Sequence, residues 1–106
     1  MKNLFEKKRD FNDDISKWNV SKVTDMAFIF NCYDEDDEES VSVFNGDISK
    51  WNVSKVINME SMLSNTQFNG DISGWNVSSV TNMESMFSIS QFDGDISGWD
   101  VSSVTN

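Results

Sequence analysis

At 106 residues the chain has room for one domain, and its 38% apolar content is enough for a core. Eighteen acidic residues against eight basic ones give a net charge of −10, which argues against binding nucleic acid through its backbone phosphates and against an anionic membrane surface. No apolar run approaches the ~20 residues of a membrane-spanning helix, and the absence of histidine removes the commonest general base and metal ligand together.

In chain order, Met1-Lys2-Asn3-Leu4-Phe5 matches Met83-Glu84-Ser85-Met86-Phe87, so residues 1–10 read as the tail of a preceding repeat. The basic residues there have no apolar stretch behind them and do not form a secretory signal. Residues 11–43 form a repeat that begins FNDDISKWNVSKVTDMAFIFN and carries an acidic insertion at about 32–43. Residues 44–67, FNGDISKWNVSKVINMESMLSNTQ, and 68–91, FNGDISGWNVSSVTNMESMFSISQ, are two further copies, and 92–106 is a truncated fourth. Phe44, Phe68 and Phe92 are 24 residues apart, whereas Phe11 precedes Phe44 by 33, one repeat plus nine. The chain thus reads as part of a longer array, expected to self-associate through the exposed ends of its repeats.

Within one copy, Asp47-Ile48-Ser49-Lys50-Trp51-Asn52-Val53 carries β-branched and aromatic residues in a polar-interrupted run, which predicts an extended segment. Val56, Met59, Met62 and Leu63 follow at steps of three, three and one, which predicts about two turns of helix. Thr81-Asn82-Met83-Glu84 fits a capping box for that helix, and the Asn-Gly pairs at 45–46 and 69–70 mark a turn. The expected fold is an α/β repeat solenoid with one short parallel strand and one short helix per 24-residue repeat.

Stacking such copies aligns equivalent residues in columns. Trp18, Trp51, Trp75 and Trp99 form one core column, and Ile15, Ile48, Ile72 and Ile96 another. Met26, Met59 and Met83 form a third, which Met1 extends. The alternative for the tryptophans is a stacking platform for sugars or bases, but their regular apolar neighbours favour a spine. The methionines read as core filling.

Two features carry a metal alternative. The acidic run at 34–39 offers carboxylates for a divalent cation, yet its spacing fits no EF-hand and it has no glycine, so a solvated loop is the simpler reading. Asp14, Asp47, Asp71 and Asp95 form a column whose members stack about 5 Å apart in register. Calcium would offset their repulsion, and so would hydrogen bonds from turn N–H groups in Asx-turns, the reading preferred here. Asn19, Asn52, Asn76 and Asp100 read as backbone-satisfying residues at a bend. No cofactor is called for otherwise.

Ser16, Ser49, Ser73 and Ser97, like Ser21, Ser54, Ser78 and Ser102, recur in every copy, as turn residues do and single catalytic nucleophiles do not. Cys32 has no histidine to pair with, so it reads as a chance thiol. Lys7-Lys8-Arg9 could dock an acidic partner or the acidic insertion; a solvated connection is the simpler reading. All eight basic residues lie at or before Lys55, leaving the second half purely acidic.

The string F-N-x-D-I-S-x-W-N-V-S-x-V-x-N-M-x-S-M-F, carried by residues 68–87, resembles the short repeat of BspA-like leucine-rich-repeat surface proteins. The resemblance covers the chain apart from the acidic insertion. It implies a right-handed leucine-rich-repeat-like solenoid and a cell-surface or extracellular location as part of a longer protein. It also implies a role in adhesion or protein binding, with no catalytic residues. The expected function is therefore a non-catalytic protein-interaction or adhesion module, with a structural spacer or a calcium-dependent repeat as alternatives. The partner face is expected at positions that vary between copies: Lys17, Lys50, Gly74 and Gly98, and Lys22, Lys55, Ser79 and Ser103.

Overall fold

In a computed structural model, residues 1–33, 35–36 and 41–106 are described. The predicted strand and helix of each repeat do not form. Among the described residues there is no helix and no sheet, and strand pairing is confined to four isolated parallel bridges. Nor is the molecule an elongated α/β solenoid. Its extents are 36 × 29 × 24 Å, with a radius of gyration of 12.8 Å, close to the ~13 Å of a compact domain of this length.

What forms instead is a series of tight turns sharing one signature. Asp47-Ile48-Ser49-Lys50-Trp51 begins with an aspartate whose Oδ1 accepts the Ser49 N–H at 2.9 Å. The Ile48 carbonyl then accepts the Trp51 N–H at 3.1 Å. Asn52-Val53-Ser54-Lys55-Val56 repeats both bonds, at 3.1 and 3.0 Å. Asn58-Met59-Glu60-Ser61-Met62 repeats them again, at 3.0 and 3.2 Å. An Asx side chain two residues before a free N–H mimics a backbone turn, so a polar-apolar alternation that reads as extended is here a run of Asx-turns.

The helix fails for a related reason. The residue two after the Met26, Met59 and Met83 positions is left-handed in each of the first three copies: φ is 59° at Phe28, 50° at Ser61 and 55° at Ser85. A left-handed residue ends the i to i−4 ladder of a right-handed helix. The alternate N–H groups turn outward to the next copy. Those of Met59, Ser61, Leu63 and Asn65 donate to the carbonyls of Asn82, Glu84, Met86 and Ser88 at 2.8–3.0 Å. Between them, Met62 and Ser64 donate back to Met59 and Ser61. The first copy does the same, with Met26, Phe28 and Phe30 donating to Asn58, Glu60 and Met62. Thr81-Asn82-Met83-Glu84 accordingly caps no helix; Asn82 Oδ1 accepts the Glu84 N–H at 2.9 Å as one more Asx-turn.

Successive copies nonetheless lie in register. One set of parallel bridges joins Asp25 to Asn58 and Asn58 to Asn82, and a second joins Ser42 to Thr66 and Thr66 to Ser90. Apolar residues 24 or 33 positions apart therefore stack. Phe11, Phe44, Phe68 and Phe92 form a file of near-parallel rings with centroids 6.0, 6.1 and 6.2 Å apart. Phe44 and Phe68 are fully buried, as are Ile48, Val53, Val56, Met59, Met62, Leu63 and Ile72 in the same core. Each such side chain contributes roughly 1.5–3 kcal/mol on removal from water. With no regular elements among the described residues, this apolar core and the bonds between copies hold the fold.

The Asn-Gly pairs have a different cause from the one expected. None of the glycines has positive φ. At Gly70 an added Cβ would lie 3.0 Å from two ring carbons of Phe68, and at Gly46 it would lie 2.9 Å from the Phe44 ring. The glycine is there so that the phenylalanine two residues earlier can fold back over the main chain.

Candidate functional site

The tryptophans are structural in a way that the sequence did not show. Trp51 donates its indole N–H to the Ile15 carbonyl, Trp75 to Ile48 and Trp99 to Ile72, each at 3.0 Å. Each of those carbonyls also accepts the backbone N–H of its own copy's tryptophan. The isoleucine oxygen thus uses one lone pair to close its own turn and the other to hold the next copy. Trp51, Trp75 and Trp99 are buried, while Trp18 is 43% exposed. Ile15, Ile48 and Ile72 are buried and Ile96 is 37% exposed; Met26 and Met59 are fully buried and Met83 is half-buried. Burial thus varies along each column, with Trp18 and Ile96 in contact with solvent.

The aspartate column is exposed, and its carboxylates are already satisfied. Asp14, Asp47, Asp71 and Asp95 each accept the N–H of the serine two residues on, at 2.9 Å. Ser49 and Ser73 add their hydroxyls at 2.7 Å. These serine donors hold the carboxyls of Asp14, Asp47, Asp71 and Asp100 below the ordinary value of 3.8, the serine side chain acting most strongly and its N–H next. At Asp95 the Ser97 N–H is the larger of the two. Mutual repulsion is present, from Asp14 on Asp47 and from Asp95 on Asp71, but it is weaker than the hydrogen bonds. Lys17 and Lys50 add a small attraction. Among the described residues no group of three or more Asp, Glu or Cys side chains is placed to hold a metal ion.

Asn19, Asn52 and Asn76 accept the N–H groups of Ser21, Ser54 and Ser78, and Asp100 accepts that of Ser102. A second asparagine column binds copies together. Asn12, Asn45 and Asn69 offer Oδ1 to the backbone N–H groups of Asn45, Asn69 and Asp93 at 3.0, 2.9 and 2.7 Å.

With these side chains occupied in the scaffold, the tips of the turns are left for solvent. Lys17, Lys50, Gly74 and Gly98 share the third position of the Ile-to-Trp turn. Lys22, Lys55, Ser79 and Ser103 share the third position of the Val-to-Val turn, and all eight are exposed. At Gly74 and Gly98 an added Cβ would meet nothing within 4 Å. At these two tips a Cβ can be added without cost to packing.

Of the acidic run at 34–39, only Glu35 and Asp36 are among the described residues, and both are exposed. They line a hollow of about 330 Å³ together with Glu6, Lys7 and Tyr33, so part of the basic cluster faces the acidic insertion. A larger hollow of about 510 Å³ lies against Phe5 and Phe11, rimmed by Lys7, Lys8 and Arg9. Phe5 and Phe11 stack with centroids 3.9 Å apart. Cys32, the one cysteine of the sequence, is buried. Asn65 is buried in the left-handed conformation, with φ 55°, and its Nδ2 has no hydrogen-bond partner among the described residues. Sequence reasoning missed it, because the equivalent position is Lys7 in the leading segment and Ile89 in the third copy.

No helix of the described residues is long and apolar enough to cross a membrane. Comparison with curated proteins and with solved structures gave no match. A family described as "Mycoplasma protein of unknown function, DUF285" matches residues 1–106, and the chain belongs to that family.

Proposed function

We propose that the chain is a non-catalytic interaction module of a cell-surface or extracellular protein, which binds a protein partner through its turn tips. The observation that carries this reading is the division of labour within each copy. Asx, serine, tryptophan and isoleucine side chains are used identically in successive copies to build and join the turns. The exposed tips alternate between lysine in the first two copies and glycine or serine in the last two. A scaffold that is constant inside and variable at regularly spaced exposed points suits recognition by a partner that reads those points. The resemblance of the string at 68–87 to BspA-like surface repeats supports the same role, although the α/β unit implied by that likeness is not formed.

Lys17, Lys22, Lys50 and Lys55 give the first two copies a basic fringe, so the favoured partner surface is acidic. The test replaces them with the residues of the later copies, Lys17→Gly, Lys50→Gly, Lys22→Ser and Lys55→Ser. Binding of the fluorescent chain to cultured animal cells is then compared with binding to the same cells after protease shaving. The reading requires that shaving and the fourfold substitution each remove binding while the chain stays folded, its melting temperature lowered only by the chain entropy of the two introduced glycines. Equal binding by both forms of the chain would refute it.

A further inference from the structure

Two asparagines stand directly before a glycine, Asn45 before Gly46 and Asn69 before Gly70, and both asparagines are exposed. Their side-chain oxygens accept backbone N–H groups from the next copy, at 2.9 Å from Asn69 and 2.7 Å from Asp93. A donor in that position stabilises negative charge developing on the oxygen when the amide carbon is attacked, as an oxyanion-hole donor does. The N–H groups of Gly46 and Gly70, the adjacent nucleophiles, make no hydrogen bond among the described residues. No Cβ shields them.

The other asparagines of the repeats lack this combination. Asn52 and Asn76 also accept a backbone N–H on their oxygens, in Asx-turns, but they precede the buried, β-branched Val53 and Val77 instead of a glycine. Asn58 and Asn82 precede methionines whose N–H groups are committed to Asn82 and Asn106.

We propose that Asn45 and Asn69 are sites of spontaneous deamidation in the folded chain. The glycine nitrogen loses its proton and attacks Cγ of the preceding asparagine. A new N–Cγ bond forms, the Cγ–Nδ2 bond breaks, and the nitrogen leaves as ammonia. Water then opens the resulting succinimide at one of its two C–N bonds, giving aspartate or isoaspartate. Aspartate is accommodated in this column, since Asp93 occupies the equivalent position in the fourth copy and donates its backbone N–H to Asn69 Oδ1 in register. Isoaspartate is not, because its extra backbone methylene carries Gly70 away from the Phe68 ring that it closely approaches. Formation of isoaspartate at position 69 therefore loosens the third copy from the fourth.

The experiment ages the purified folded chain in mildly alkaline buffer and maps its peptides by mass spectrometry, with a parallel sample in denaturant. The expected result is exchange of amide NH2 for OH at Asn45 and Asn69, several-fold faster than at Asn52, Asn58, Asn76 or Asn82, in the folded sample. An Asn69→Gln chain is expected to lose the signal at that site and keep it at Asn45. Reaction at Asn45 and Asn69 only in denaturant, or at the same rate at all asparagines, would overturn the proposal.

Discussion

Trp75 reaches back 27 residues to donate its indole N–H to the carbonyl oxygen of Ile48 at 3.0 Å. The same oxygen accepts the backbone N–H of Trp51 at 3.1 Å, so it keeps one partner if the indole is removed. Trp75→Phe is therefore expected to cost about 1 kcal/mol for the lost hydrogen bond, plus a smaller packing loss, and not the larger penalty of an orphaned buried carbonyl. Trp75→Ala empties the site next to Trp99, whose ring centroid lies 6.4 Å away, and should cost roughly 3–5 kcal/mol. Urea unfolding of the two variants checks both values; equal losses would show that ring packing adds nothing beyond the hydrogen bond.

The two classes of glycine should respond with opposite signs. Gly70→Ala places a methyl 3.0 Å from the Phe68 ring, and displacing that buried ring is expected to cost roughly 1–3 kcal/mol. Gly74→Ala adds a methyl in open space at a residue without positive φ, and should stabilise by about 0.4–1 kcal/mol by restricting the unfolded chain. Thermal melts of the pair decide the matter. A destabilised Gly74→Ala would show that the tip has a packing role.

Ile89 is a β-branched residue held at φ 53° and is 64% exposed. Its counterpart in the second copy is Asn65, at φ 55°. A β-branched side chain in the left-handed region is strained, whereas asparagine tolerates it. Ile89→Asn gives up little buried surface and is expected to stabilise by about 1 kcal/mol. An unchanged or lower unfolding midpoint would mean that Ile89 contributes packing that its exposure does not reveal.

Acid should weaken the turns. The folded carboxyls of Asp14, Asp47, Asp71, Asp95 and Asp100 lie below the ordinary 3.8 because serine donors stabilise the charged form. A depressed folded pKa means that the stabilisation is present above pH 3.8 and is lost as pH falls through the lower folded values. The melting temperature should therefore fall on the acid side of that value. Asn at positions 47 and 71, as in the neighbouring Asn52 turn, keeps the acceptor without the titration. Asp47→Asn with Asp71→Asn should therefore flatten the acid limb, and an equally steep limb in that variant would place the acid sensitivity elsewhere.

The period of 24 residues was legible, as were the aligned columns and the use of Asp47 and Asn52 as turn acceptors, because each is a local or repeated property of residue type. The secondary structure was not. Val56, Met59, Met62 and Leu63 sit at helical spacing, but the same spacing serves successive turns whose alternate N–H groups bond to the next copy. Whether the Ser61 N–H seeks a carbonyl four residues back or Glu84 in the following copy is decided by stacking, which periodicity within one copy does not register. Asp47-Ile48-Ser49-Lys50-Trp51, Asn52-Val53-Ser54-Lys55-Val56 and Asn58-Met59-Glu60-Ser61-Met62 share the pattern Asx-apolar-x-x-apolar, and three such strings in succession are better read as three turns than as a strand and a helix. The second role of the tryptophans was also hidden, since nothing in the sequence says where an indole N–H points.

The direct test of in-register joining between copies is hydrogen exchange at the four indole N–H groups, followed by NMR. Trp51, Trp75 and Trp99 should exchange slowly, each held at 3.0 Å by an isoleucine carbonyl of the preceding copy. Trp18, which is 43% exposed, should exchange rapidly. Four indoles exchanging at one common fast rate would contradict the account.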